Sequence, residues 1–163
     1  MSNARHTLAL LIPAFLGLPA AAPAPMPVAL TSQPGTALDH AARGLAAQEL
    51  AEAEQAGDTP LLLVGSARLA GPAGDPALFL QLQSSRECGS AGCSTLVYLP
   101  GRNGWRKVLD GVSGTVSVAA TRRGGMRDLL VGADRYVWNG TRYVDARPAP
   151  AVDLRPARGQ ARP

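Results

Sequence analysis

The stretch Arg135-Tyr-Val-Trp-Asn-Gly-Thr-Arg-Tyr-Val144 decides the fold class of this chain. An Asn-Gly pair stands between two runs of β-branched and aromatic residues, which is typical of a hairpin with a two-residue type I′ turn. That turn places Tyr136 opposite Tyr143. The register then predicts that three aromatic side chains share one face of the sheet, namely Tyr136, Trp138 and Tyr143. This face is either ordinary core or the wall of an exposed binding surface.

Short apolar or alternating runs continue outward from this hairpin and predict further strands. Turn residues separate the runs, as at Pro100–Gly104, Asp110-Gly111 and Arg122–Gly125. The predicted strands cover residues 61–69, 77–83, 94–99, 105–109, 114–120, 127–132, 134–138 and 141–145. Such spacing predicts a mainly β fold, arranged as an antiparallel meander, a small sandwich or a partial barrel.

Two cysteines, Cys88 and Cys93, enclose the residues Gly-Ser-Ala-Gly. An exported chain with two cysteines this close most simply forms one disulfide, and glycine suits so tight a loop. The spacing is not that of a Cys-x-x-Cys redox pair, and the β region contains no histidine or further cysteine to complete a metal site. We therefore predict a disulfide, with no metal and no cofactor.

The two ends of the chain differ from the β region in composition. Residues 1–24 have a basic start, a short apolar run and a small-residue end, which predict a cleaved signal peptide. This makes the protein periplasmic or secreted, with no transmembrane segment after cleavage. The Pro-rich residues 25–35 predict a mobile linker, and residues 148–163 predict a disordered basic tail.

Between the linker and the β domain, residues 36–57 predict one short helix. Thr36-x-x-Asp39 resembles a capping box, and Gly57 suits a helix C-cap. The apolar stripe of this helix is thin. We therefore predict that it docks loosely and is separable from a β domain over residues 58–147.

Four motifs follow one another between residues 88 and 143: Cys-Gly-x-x-Gly-Cys, Gly-Trp, Gly-x-x-Asp-Leu-Leu-Val and Tyr-x-Trp-Asn-Gly-x-x-Tyr. Their order resembles that of small exported proteobacterial β proteins of uncharacterised function. The resemblance implies an exported β domain and provides no catalytic residue.

The residue inventory argues against an enzyme. A serine or cysteine nucleophile needs a base, and the only histidine after the predicted signal is His40, in the helical segment. A pair of catalytic carboxylates could come only from Asp75, Glu87, Asp110, Asp128, Asp134 or Asp145, and most of these stand beside turn glycines, where aspartate serves as a turn former. The chain has no phosphate-binding loop, dinucleotide fingerprint or calcium loop.

The charge of the chain indicates its class of partner. The net charge is +4, and the excess of arginine lies in the β region. We predict a non-enzymatic binding module for an anionic envelope polymer or lipid headgroup, and expect no nucleic-acid partner. The alternative is an inhibitor or accessory factor that contacts an envelope protein through a hairpin edge. The candidate binding residues are Arg122, Arg123, Arg135, Arg142, Trp138 and Tyr143.

Overall fold

The computed structural model describes residues 23–85 and 88–147, and within them the chain is mainly β, as predicted. All paired strands are antiparallel. In chain order the elements are β1 (Met26–Pro27), α1 (Ala37–Leu45), α2 (Ala47–Gln55), β2 (Leu61–Ala67), β3 (Ala77–Gln83), β4 (Cys88–Gly89), β5 (Gly92–Gly101), β6 (Gly104–Ser113), β7 (Val116–Arg123), β8 (Met126–Val131), β9 (Asp134–Trp138) and β10 (Tyr143–Asp145). The prediction of one helix ahead of all strands is wrong, because there are two helices and β1 precedes both.

The strands form two sheets that share a core. In sheet I the order is β2-β3-β5, and β4 and β6 both pair with β5; in sheet II the order is β1-β7-β8-β9-β10. Phe79 and Val97 of sheet I lie in one buried cluster with Val118 and Leu129 of sheet II, and all four are at most 1% exposed. The apolar faces of the two sheets therefore cover one another.

The aromatic face of the last hairpin belongs to this shared core. Trp138 and Tyr143 are buried, and their rings meet edge to face with centroids 5.4 Å apart. Tyr136 packs against the same cluster. Of the two alternatives left open by the sequence, core or exposed binding wall, the structure shows core.

The turn of that hairpin differs from the predicted one. Trp138 pairs with Tyr143, so the loop spans four residues, and Asn139 is not at positive φ. The Asn139 side-chain oxygen instead accepts hydrogen bonds from the backbone N–H groups of Thr141 (3.0 Å) and Arg142 (2.9 Å). The register shifts by two residues along β10, an even number, so the predicted face of each aromatic residue is unchanged. The prediction of a type I′ turn at this position is wrong.

Two positive φ angles in succession, as a type I′ turn requires, occur instead between β7 and β8. Arg123 pairs with Met126, and the two loop residues Gly124 and Gly125 have φ of 56° and 81°. The pair Asp110-Gly111, predicted as a turn, lies inside β6. The register of β5 with β6 shifts between Thr95 and Val97, so Gly111, with φ of 54°, belongs to a bulged strand.

We expect Gly140→Val to lower the free energy of unfolding by roughly 1–3 kcal/mol, because Gly140 has φ of 105° and a β-branched residue is strained there. A Cβ added at this position would have no other atom within 4 Å, so backbone strain alone is responsible. Urea unfolding of the two proteins measures the difference. An unchanged midpoint would show that this loop readily adopts another conformation.

The two helices cover the outer face of sheet I. Ala42 is fully buried, and it lies in a second cluster with Leu62, Leu78 and Leu80 of the sheet. Both faces of β3 are buried, since Phe79 points into the shared core while its neighbours Leu78 and Leu80 face the helices. The prediction of a loosely docked helix is therefore wrong: small alanines allow close approach, and the sheet supplies the large apolar side chains.

The start of α1 follows the predicted capping pattern. Thr36 Oγ1 accepts a hydrogen bond from the backbone N–H of Asp39 (3.2 Å), and Asp39 Oδ2 accepts from Gly35 N–H (3.1 Å). Arg43 Nε also donates to Asp39 Oδ2 (3.0 Å), and this hydrogen bond holds the pKa of Asp39 below its usual value. The helical run is interrupted at Ala46, whose φ of −104° and ψ of 20° leave helical geometry.

Residues 26–31, which we call the strap, join the two sheets. Met26 pairs with Val118 of β7, and further along Thr31 and Val64 of β2 exchange two backbone hydrogen bonds of 3.0 and 2.9 Å. Gly65 lies directly beneath, where a Cβ would stand 2.5 Å from the Ala29 carbonyl oxygen. The prediction of a linker over 25–35 is thus wrong for these residues, because proline tolerates the extended backbone of an edge strand as well as that of a linker.

Most of the predicted signal peptide, residues 1–22 of 1–24, and all of the predicted tail, residues 148–163, lie outside the described residues. Among the residues that are described, neither helix is long and apolar enough to cross a membrane.

Candidate functional site

Three arginines come together on the outer face of sheet II. The helices pack on sheet I, and in the described part of the chain no helix covers sheet II in the same way. Three arginines line one cavity of about 400 Å³ there: Arg123 at the end of β7, Arg135 in β9 and Arg147 just after β10. We call this cavity the cleft; its other lining residues are Asp128, Leu130, Ala133, Val137 and Ala146.

Strand pairing accounts for this arrangement. Leu130 of β8 lies opposite Arg135 of β9, which places them on the same face of the sheet. The N–H of Ala146 donates to the Arg135 carbonyl (2.8 Å), so the pairing of β10 with β9 continues to the cleft. The N–H of Arg147 then donates to Asp145 Oδ1 (2.7 Å), which fixes the backbone where the third arginine enters.

Asp128 is the one carboxylate that lines the cleft, and its side chain is only 5% exposed. Its Oδ2 atom accepts a hydrogen bond from Thr121 Oγ1 (2.6 Å) and lies 3.8 Å from a guanidinium nitrogen of Arg135. Its Oδ1 atom is buried and has no hydrogen-bond partner among the described residues. Asp128 is therefore a buried charge within β8.

A shift in the pairing of β7 with β8 provides the partner of that carboxylate in β7. The register changes between Val118 and Arg122, and the irregular stretch brings Thr121 to Asp128. The negative charge of Asp128 also acts on the core side of the sheet: burial first, and then this charge, raise the pKa of Tyr143. The Tyr143 hydroxyl remains a donor and bonds the Arg127 carbonyl (2.7 Å).

The three arginines of the cleft differ in whether their guanidinium groups form salt bridges. Arg135 is half exposed and pairs with Asp128 at 3.8 Å. No salt bridge to a described residue engages the guanidinium groups of Arg123 and Arg147. Two of the three charges around the cleft are thus available to an anion, and arginine can bind a carboxylate or phosphate through two parallel hydrogen bonds.

The structure does not bring the other predicted arginines into the cleft. Arg122 points away from its neighbour Arg123, and its guanidinium group lies beside Gly71, 3.2 Å from the position of a Cβ there. Arg142 lines a separate groove of about 410 Å³ between β6 and β10. Only Arg123 and Arg135 of the four predicted arginines therefore share a site.

Trp138 and Tyr143, the two predicted aromatic contacts, are 8% and 3% exposed and belong to the core. The arginine that stacks on Trp138 is Arg106 of β6, whose guanidinium carbon lies 5.7 Å from the ring centroid. Arg106 also donates to the Thr141 carbonyl. With Arg106 over its ring and only 8% of the residue exposed, Trp138 offers little surface to a ligand.

The predicted disulfide is confirmed. Cys88 of β4 and Cys93 of β5 lie directly opposite one another and are bonded, with Cα atoms 4.0 Å apart. Neither residue lines the cleft. Within residues 23–85 and 88–147 no three side chains of the metal-ligating types come together.

Sequence reasoning missed Arg147 and the role of Asp128. Arg147 stands next to the predicted tail, and only the register of β10 shows that its backbone returns to β9. Asp128 carried one signal, its position in an apolar Leu-Leu-Val run, which is unusual for a charged residue unless it has a partner. No protein-family model, curated protein or solved structure that was compared with the chain matches it.

Proposed function

We propose that this chain is an exported, non-enzymatic binding module whose cleft recognises an anionic component of the cell envelope. The observation that carries the proposal is the convergence of Arg123, Arg135 and Arg147 on one cavity, with two of the three guanidinium groups unpaired among the described residues. Like charges repel one another, so a cluster of this kind is stabilised by an anion that it binds.

The scaffold suits such a role. We infer that the two sheets form a small sandwich, with the helices as a third layer on the side away from the cleft. The α2 helix carries three glutamates, Glu49, Glu52 and Glu54, and no basic residue. Opposite charges on opposite sides would orient the molecule on an anionic surface, so that the cleft faces that surface and the helices face away from it.

Export is part of the proposal. A disulfide between Cys88 and Cys93 persists in an oxidising compartment, and it agrees with the signal peptide predicted over residues 1–24. Periplasmic or secreted proteins meet anionic glycans, lipopolysaccharide and lipid headgroups directly. These are the ligand classes to be tested.

We expect the mature protein to bind at least one of these ligands at low salt, and Arg123→Ala/Arg147→Ala to weaken binding by about tenfold or more. This pair leaves the contact between Arg135 and Asp128 intact. The measurement is co-sedimentation or calorimetric titration with peptidoglycan fragments, lipopolysaccharide, and anionic or zwitterionic vesicles. Raising the salt concentration should weaken binding steeply.

The matched control is Arg122→Ala/Arg142→Ala, which removes the same charge outside the cleft. A loss confined to the first pair supports the cleft. Equal loss in both variants would mean that net charge alone attracts the ligand, and absence of binding to every ligand at low salt would reject the function.

A second candidate function uses the groove between β6 and β10. β6 is ten residues long and, among the described strands, pairs only with β5, so its other edge can accept a strand from a protein partner. The groove has charges of both signs, including Lys107 and Asp110, which pair with one another at 2.9 Å. An inhibitor or accessory factor acting through this edge would not lose affinity steeply as the salt concentration rises, which distinguishes it from an anion-binding module.

A further inference from the structure

We propose that the ligand of the cleft is an acidic saccharide, and that Asp128 accepts a hydrogen bond from one of its hydroxyl groups. This rests on the proposed function and specifies it, because an anion alone would satisfy the arginines but not the carboxylate between them.

The buried carboxylate is the observation that leads beyond simple anion binding. Asp128 Oδ1 has no hydrogen-bond partner among the described residues and is closed to bulk water, although the side chain lines the cleft. Burial of an ionised oxygen without a partner is unfavourable. A ligand hydroxyl that displaces the half-exposed Arg135 side chain and donates a hydrogen bond to this oxygen would remove that cost, and a group that cannot donate would not.

The same carboxylate selects against bare anions. A carboxylate or phosphate held by Arg123 and Arg147 would also be repelled by the negative charge of Asp128. A hydroxyl placed beside the acidic group of the ligand changes this repulsion into a charge-assisted hydrogen bond. The cleft therefore fits a molecule that carries both an acidic group and neighbouring hydroxyl groups.

The shape of the cleft and the surface around it favour a saccharide over a lipid. Leu130, which is partly exposed, provides an apolar surface for the C–H face of a sugar ring, within a cavity of about 400 Å³. The exposed large apolar residues in the described ranges, Met26 and Leu61, lie in β1 and β2 and not at the cleft. No described residue at the cleft would insert between acyl chains, and three guanidinium groups exclude a cationic ligand.

The test compares two carboxylates of equal charge on six-membered rings, glucuronate and cyclohexanecarboxylate, of which only glucuronate carries ring hydroxyl groups. We expect glucuronate to bind the full mature protein about tenfold more tightly than cyclohexanecarboxylate. This is the ratio of dissociation constants that one additional charge-assisted hydrogen bond would produce. Titration followed by NMR on isotope-labelled protein measures both affinities and shows whether shifts occur at Leu130 and Val137.

Two variants separate the charge of Asp128 from its acceptor oxygen. Asp128→Leu removes both, so cyclohexanecarboxylate should bind more tightly and the preference for glucuronate should vanish. Asp128→Asn keeps an acceptor and loses the charge, so a reduced preference should remain. Asp134→Asn, which removes an exposed carboxylate that does not line the cleft, should leave the ratio unchanged.

The outcomes distinguish the inference from the function on which it rests. If the wild type binds both carboxylates equally, or if Asp128→Leu and Asp128→Asn both retain the full preference, the inference is overturned while anion binding stands. If neither carboxylate binds and polymeric ligands also fail, the proposed function falls. Displacement of glucuronate by phosphatidylglycerol vesicles, but not by an acidic oligosaccharide, would overturn the assignment to a saccharide.

Discussion

Gly65→Ala is expected to lower the free energy of unfolding by about 2–3 kcal/mol, a large effect for the addition of one methyl group. The new Cβ would stand 2.5 Å from the backbone oxygen of Ala29 and 3.1 Å from side-chain atoms of Val28 and Leu30. A flexible side chain could turn aside, but a backbone oxygen moves only if the strap moves. Relief of the contact therefore costs the hydrogen bonds between Thr31 and Val64.

The control for this substitution is Gly44→Ala in α1. No atom lies within 4 Å of the position of a Cβ at Gly44, and its φ is not in the left-handed region. There the same chemical change should raise stability by about 0.5–1 kcal/mol, because glycine is a poor helix residue. Urea unfolding measures both. Similar stability of the Gly65→Ala protein and the wild type would mean that the strap does not lie against β2.

Ala42→Glu is expected to destabilise the protein by about 3 kcal/mol or more, since it places a charge without a partner between α1 and sheet I. Ala42 is fully buried against Leu62, Leu78 and Leu80, so neither space nor water is available to the carboxylate. The expected result is cooperative loss of the whole fold, because sheet I would expose its outer apolar face once the helices leave it.

The matched control is Ala51→Glu, at an exposed position of α2, which should change stability by less than about 0.5 kcal/mol. Thermal unfolding and limited proteolysis together decide between two descriptions of the helices. Release of residues 36–57 from a stable fragment of residues 58–147 would restore the prediction that the helical segment is separable. Simultaneous cleavage throughout the β region would show that the helices are a structural layer.

The strands were the part of the fold that the sequence predicted best, for a physical reason. Alternation and turn residues are local, so each of the eight predicted strands has a counterpart, with ends shifted by a few residues. The prediction of the aromatic face was correct although the predicted turn type was wrong. Side chains alternate between the two faces with a period of two, and the error in the register was two residues.

The errors came from features that are decided at long range. The composition of residues 25–35 fits a linker, and only the free edges of β7 and β2 turn part of it into a strap. The helix stripe is thin by itself, and only the apolar outer face of sheet I makes it sufficient. The sequence of residues 25–35 does not show that the edges of β7 and β2 are free to pair with it, and the sequence of the helices does not show that sheet I has an apolar outer face.

The cleft shows the same division between local and distant information. Arg123 and Arg135 were found because basic residues beside turns are visible in the sequence. Arg147 needed the register of β10, which depends on a four-residue loop in place of the predicted two. The hydrogen bond between Asp128 and Thr121 depends on the irregular pairing of β7 with β8, and no local sequence pattern predicts that irregularity.

The position of the strap has a consequence for the order in which the chain assembles. The strap precedes its partner β7 in the chain by five strands, β2 to β6. It can pair with β7 only after all of these have been synthesised. Contacts so distant in sequence slow folding, and until they form the edges of β2 and β7 are open to strands of other molecules. We therefore expect closure by residues 26–31 to be a late step, and its completion to lower the tendency of the protein to aggregate.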